Sequence, residues 1–254
     1  MSKIKIQNFG PIKNGLLDND GFIDIKQVTV FIGNQATGKS TIAKIFSTFT
    51  WLEKALYTGV LKESYVKMYH RFEKEFCAYQ GLKEYFNNNT YLEYIGDSYS
   101  FIYSNKKIEL KRIKNEYLTP KIMYVPAERN FLSLVDNPEK LKQLPKPLYT
   151  FLEEFEKAKK SIHGDIALPI NSLSFEFQKN TKKSFIKGED YKIPLSQSSS
   201  GIQSVLPAYL VSKYLVESID KEEDFATKEF SKEINDFIKK ELEKIILNKK
   251  IGTD

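Results

Sequence analysis

With 254 residues, 41% of them hydrophobic and 28% charged, the chain carries enough apolar material for a sizeable core and too much for a disordered tail. Its 39 basic and 33 acidic residues leave a net charge of +6, which permits an anionic partner without demanding one. The single cysteine excludes an internal disulfide. No apolar run approaches the roughly eighteen residues of a membrane span, and none has the form of a signal peptide. The protein is expected in the cytoplasm, with no membrane partner.

Residues 3–32 read as strands. Ile4 and Ile6 alternate with Lys3 and Lys5, Asn8-Phe9-Gly10-Pro11 makes a turn, and Phe22-Ile23-Asp24-Ile25 leads into Val28-Thr29-Val30-Phe31-Ile32, a short β-branched run that reads as a buried strand. Phe9 is placed either to stack on a nucleotide base or to join the core. Lys13 is placed either to reach a phosphate or to stay a solvated charge.

The stretch that follows, Gly33-Asn34-Gln35-Ala36-Thr37-Gly38-Lys39-Ser40-Thr41, fits G-x-x-x-x-G-K-[ST], the phosphate-binding loop. Ile42, Ile45, Phe46, Phe49, Leu52 and Leu56 then recur at helical spacing, which supplies the strand–loop–helix context the motif needs. Gly33 and Gly38 let backbone N–H groups approach phosphate oxygens, and the helix start adds its dipole and unpaired donors. Lys39 is expected at the β- and γ-phosphates, as a catalytic as well as a binding residue, and the Ser40 hydroxyl on Mg²⁺. The expected ligand is ATP with Mg²⁺.

Apolar residues at helical spacing over 60–86 predict a helix, in which His70 and Cys77 have no partners at metal-ligand spacing and read as structural. Residues 91–110 alternate as a hairpin. Ile122-Met123-Tyr124-Val125 reads as a second buried strand, stopped by Pro126, that delivers Ala127-Glu128-Arg129-Asn130 to a strand's carboxyl end, where open α/β sheets place ligands. Glu128 is the acid so placed and a candidate catalytic residue; a structural Glu128–Arg129 pair is the alternative. Prolines mark 136–150 as a loop, a helix is expected over 148–160, and 172–194 read as a hairpin with a basic turn at Lys179, Lys182 and Lys183. Leu195-Ser196-Gln197-Ser198-Ser199-Ser200-Gly201-Ile202-Gln203 then opens another helix, whose mouth is a second anion-binding end.

Beside the phosphate loop, that last stretch resembles the Leu-Ser-Gly-Gly-Gln signature of the ATP-binding-cassette superfamily. Ser200, Gly201 and Gln203 match its second, third and fifth positions, while Ser199 and Ile202 depart. With Ile6-Gln7-Asn8-Phe9-Gly10-Pro11-Ile12 and Pro126-Ala127-Glu128-Arg129, the chain is similar to ATPases related to the RecF, SMC and OLD families, the bacterial "AAA family ATPases" with cassette-type heads. The resemblance spans residues 1 to about 219. It implies an α/β P-loop NTPase head; with the periodicities above, that head is expected to carry an antiparallel β subdomain, a helical and hairpin insertion over 60–118 and a C-terminal helical segment over 220–254. It also implies a homodimer closed on ATP, with Ser199, Ser200, Gly201 and Gln203 facing the partner's nucleotide. DNA or an effector nuclease is the implied further partner, in defence or DNA repair.

Such heads place a glutamine after the second strand, where this chain has Glu128 and Arg129. They also carry an apolar strand ending in Asp-Glu after the signature helix. Here Lys221-Glu222-Glu223-Asp224 leads instead into helical spacing from Phe230 to Ile246. The head is therefore expected to be the incomplete, N-terminal part of a longer ATPase, or else a nucleotide-gated module that hydrolyses little. A nucleic-acid-binding subunit is the third reading.

Overall fold

In the computed structural model, which describes residues 2–114, 116–135, 138–170 and 172–219, the alternating Lys-Ile opening pairs into a five-stranded antiparallel sheet. Strands β1 (Lys3–Gln7), β2 (Phe22–Asp24), β3 (Tyr91–Ile95), β4 (Tyr99–Ser104) and β5 (Lys107–Arg112) run in the order β2-β1-β3-β4-β5. Because side chains alternate across a sheet, the register gathers one apolar face. Ile4 lies opposite Tyr94, Ile6 opposite Leu92, Tyr94 opposite Phe101, and Tyr103 opposite both Leu92 and Ile108. On the other face the Lys3 and Lys5 ammonium groups sit 4.3 Å and 5.7 Å from the centre of the Phe22 ring. The strands of 60–118 thus complete the sheet that β1 begins.

Helix α1 (Lys39–Tyr57) covers the apolar face with the side expected of it, burying Ile45, Phe49, Leu52 and Leu56. Phe49 stacks on Tyr94 at 5.4 Å and on Phe72 at 5.3 Å, with Phe101 at 5.5 Å. A buried carboxylate fixes the angle of approach. Glu53 accepts the Tyr94 hydroxyl at 2.8 Å and the backbone N–H groups of Ser98 and Tyr99 at 2.6 Å and 3.0 Å, at the β3–β4 turn. Burial first, then this carboxylate, pushes the Tyr94 phenol well above its usual range.

The single helix expected over 60–86 is broken. Helix α2 (Glu63–Val66) ends in a turn where His70 has φ +59°, a π-helical turn follows at Phe72–Cys77, and a 3₁₀ turn at Lys83–Tyr85. The buried set explains the break. Leu61, Val66, Phe72 and Phe76 all face the core, and the spacings of five and six between the first three cannot share one face of a regular helix.

The larger correction concerns the two strands read as buried. Neither 28–32 nor 122–125 is a strand. Val28, Val30 and Ile32 are 78%, 73% and 93% exposed, and no backbone hydrogen bond joins Val28, Val30, Phe31 or Ile32 to another described residue. A β-branched run becomes a strand only beside a neighbour's edge. β2, the strand nearest in sequence, pairs with β1 and leaves its other edge open, but 28–32 does not add to that edge.

A second antiparallel sheet holds β6 (Ile166–Ala167), β7 (Ser174–Gln178), β8 (Lys183–Lys187) and β9 (Lys192–Pro194) in sequential order, with the exposed basic turn at its tip. Phe175 and Ile186 face each other in its register, fully buried. Short helix α3 (Phe131–Leu134) precedes α4 (Lys146–Ser161), whose Lys159 ammonium lies 4.8 Å from the Phe155 ring and 5.1 Å from that of Phe177 on β7. Helix α5 (Ser200–Glu217) closes the described part. The chain divides into two compact units, Met1–Tyr214 and Leu215–Asp254, and the helix expected over 220–254 lies outside the described residues. The fold is mixed α/β, with both sheets antiparallel among the described residues.

Candidate functional site

The phosphate-loop residues fold as a tight exposed turn at the mouth of α1. Gly38 caps the helix in the left-handed region at φ +98°, and its carbonyl accepts the first helical bond from the Ile42 N–H at 2.9 Å. A Cβ at Gly38 would lie 2.7 Å from Cγ1 of Ile12, so this glycine is required twice, by its φ and by close approach. Gly33 is different, because a Cβ there would meet only the Thr37 hydroxyl at 3.5 Å. Ala36 carries a positive φ of 61°, and Thr37 braces the turn by donating to the Asn34 carbonyl at 2.9 Å.

Lys39 arches back over the loop. Its ammonium donates to the Gly33 carbonyl at 2.8 Å and to that of Asn34. The cation thus sits across the loop, beside the unpaired N–H groups of the first helical turn, and residues 33–37 and Ser40 are exposed while Thr41 is buried. This arrangement presents donors and positive charge to an anion. For a metal ion, Ser40 offers one exposed hydroxyl, and no group of three or more His, Cys, Asp or Glu side chains gathers among the described residues.

Phe9 is not presented to a base. It is fully buried and packs edge-on against Phe86 at 4.9 Å and tilted against Tyr85 at 5.7 Å. Its turn, closed by paired bonds between Phe9 and Ile12, puts Pro11 and Ile12 behind Gly38. Lys13 is exposed.

The second and third candidate segments are joined to each other. Arg129 donates through Nε to the Ser204 carbonyl at 2.8 Å and through Nη1 to that of Pro126 at 3.1 Å, so it pairs with backbone rather than with Glu128. Ser133 donates to the Gln203 carbonyl at 2.8 Å. The sequence gives the reason. Pro207 lies inside α5, has no N–H, and so leaves the carbonyl four residues earlier, Gln203, without its helical donor. Ser133 supplies it.

The Gln203 side chain is buried and donates to the Ser196 and Ser198 carbonyls at 3.0 Å and 2.9 Å, which wraps the serine run around the start of α5. Ser199, Ser200 and Gly201 remain exposed, with the Ser199 hydroxyl 3.4 Å from the Ile202 N–H. Glu128 is also exposed; burial and its charge raise the nearby Tyr124 phenol. No hydrogen bond or ion pair links loop 33–41 to Glu128 or to 199–203 among the described residues. The structure therefore brings together 126–133 and 203–204, places Ile12 of the opening motif against Gly38, and adds Ser133, which the motifs alone did not single out. Pro207 inside a helical pattern is the signal that a donor must come from elsewhere.

Comparison of the chain with protein-family models, with curated proteins and with solved structures yields no match.

Proposed function

We propose that the chain is an ATP-binding module of cassette type. The observation that carries this reading is the loop itself: a left-handed Gly38 cap that tolerates no side chain, an exposed helix mouth, and Lys39 held across it by the Gly33 and Asn34 carbonyls. On binding, the ammonium would exchange two carbonyls for phosphate oxygens and the first-turn N–H groups would gain acceptors. Ser40 would hold Mg²⁺, which offsets phosphate charge when present. The exposed Ser199, Ser200 and Gly201 would form the complementary surface of an ATP-closed homodimer.

Gating is the better-supported role within this reading. Arg129 and Gln203, polar residues of the segments expected to carry chemistry, spend their side chains on backbone carbonyls and leave Glu128 as the exposed acid. A role in hydrolysis, or in acting with DNA or an effector nuclease, would be a further property of the assembled protein.

Calorimetric titration with ATP tests the reading. Lys39→Ala should weaken binding at least tenfold, because a charge-assisted contact to phosphate contributes about 1.5–3 kcal/mol. Ser40→Ala should weaken it in Mg²⁺ and leave affinity in EDTA unchanged. ATP affinity equal in wild type and Lys39→Ala sinks the proposal. Sedimentation with a non-hydrolysable ATP analogue should give a dimer, and Ser200→Arg should abolish it.

A further inference from the structure

A cavity of about 500 Å³ opens between the broken helix after α2 and the β4–β5 hairpin, and none of the nucleotide motifs touches it. Its floor is aromatic and apolar: Phe72, Tyr103 and Ile108 are buried beneath it. Its rim is basic. Lys106 and Lys107 stand at the hairpin turn, where Asn105 and Lys106 have φ of 48° and 61°, and neither lysine has a carboxylate partner among the described residues. Lys67 adds a third cation, bridged to Glu63 at 3.1 Å, and Glu109 is the acid on the lining.

The wall made by Tyr69 and His70 is the unusual part. Tyr69 is a large ring left 73% exposed, with its centroid 3.7 Å from that of the His70 ring. His70 holds a left-handed φ of +59°, a conformation that side-chain-bearing residues adopt rarely and that concentrates at functional sites. The π-helical turn begins two residues later, another feature enriched at such sites. One carboxylate of that turn ties the wall to the floor: Glu73 accepts the Tyr103 hydroxyl through Oε1, and its Oε2 lies 3.1 Å from Nδ1 of His70. With Nδ1–H directed at the carboxylate, Nε2 is the ring position left for another partner.

We propose that this cavity binds a small anion that carries one flat ring, of the nucleoside monophosphate class, at a site separate from loop 33–41. Aromatic walls accept the flat face of a ring, and the size suits a ligand of that class. Compact ammonium groups on flexible stems suit a terminal phosphate, which needs charge more than a fixed fork geometry. His70 Nε2 supplies one directional contact between the two ends.

The test titrates AMP into the full chain carrying Lys39→Ala, with adenosine and inorganic phosphate as separate arms. Saturable AMP binding should be the same with and without Lys39→Ala. It should weaken at least tenfold in the Lys106→Glu, Lys107→Glu double variant, and also in Tyr69→Ala, while Tyr69→Phe keeps it. Adenosine and phosphate alone should each bind at least tenfold more weakly than AMP. All three altered side chains are exposed, so the variants should fold as the parent does, which far-UV circular dichroism checks. The proposal is overturned if AMP does not saturate, if charge reversal leaves its affinity unchanged, or if adenosine binds as tightly as AMP. Loss of AMP binding on Lys39→Ala alone overturns it too, and assigns that binding to the loop; failure of the ATP reading leaves every arm interpretable.

Discussion

Two runs of strand-favouring residues in this chain, one mainly aromatic and one mainly β-branched, have opposite fates. Strand β4, with Tyr99, Phe101 and Tyr103 alternating, lies between two neighbours and buries all three under α1 and the residues around Phe72. The run Val28-Thr29-Val30-Phe31-Ile32 also carries apolar residues at every second position, yet it joins no sheet and leaves Val28, Val30 and Ile32 largely exposed. Residue type favours a strand in both segments. Pairing separates them, because strand formation is a contact with a neighbouring backbone as much as a preference of the side chains.

Hydrogen exchange offers the largest contrast. Amides of β1 and β3 should exchange only on global unfolding, protected by the order of the domain's stability, about 5–15 kcal/mol, while those of 28–32 should exchange with protection near zero. Protection of Val30 and Ile32 equal to that of Ile4 would erase the distinction. Truncation of side chains should show it next. Phe49→Ala removes a fully buried ring from a cluster of four aromatic rings and should cost about 3–5 kcal/mol in urea unfolding. Val30→Ala should stay within about 0.5 kcal/mol. Similar losses at both positions would mean that the 28–32 run is packed in solution.

The Ser133–Pro207 pairing allows a finer measurement. Ser133→Ala leaves the buried-side carbonyl of Gln203 without a donor and should cost about 1–3 kcal/mol. Combined with Pro207→Ala, which restores an N–H to the helix, the same change should cost less, so a double-mutant cycle should report coupling. Strict additivity would refute the compensation.

The smallest effect belongs to the second sheet. Contacts from Lys187 first, then Lys192 and Gln178, lower the Glu176 carboxyl from 4.5 to about 2. A lowered carboxyl stabilises the fold fully above its unfolded value and loses that contribution as pH falls toward the folded one. Stability should therefore drop between about pH 4.5 and pH 2 by an amount that Glu176→Gln abolishes. The effect should be slight and salt-sensitive, as expected of a surface ion cluster. A pH profile unchanged by the substitution counts against it.

What the sequence determined alone is local. The period of Ile45, Phe49, Leu52 and Leu56 defined α1 and its buried face, the Lys-Ile alternation defined β1, and glycine with Lys-Ser marked a turn at a helix mouth, because each signal acts within a few residues. Tertiary structure decided whatever needed a partner from far along the chain. It put Phe9 into the core against Phe86, and it broke the expected 60–86 helix, with Val66 and Phe72 buried in the same core. It spent Arg129 and Ser133 on the carbonyls of α5, and it gave β1 two neighbours while giving 28–32 none. Periodicity records which residues would share a face. Only the assembled backbone settles whether a neighbour is there to meet it.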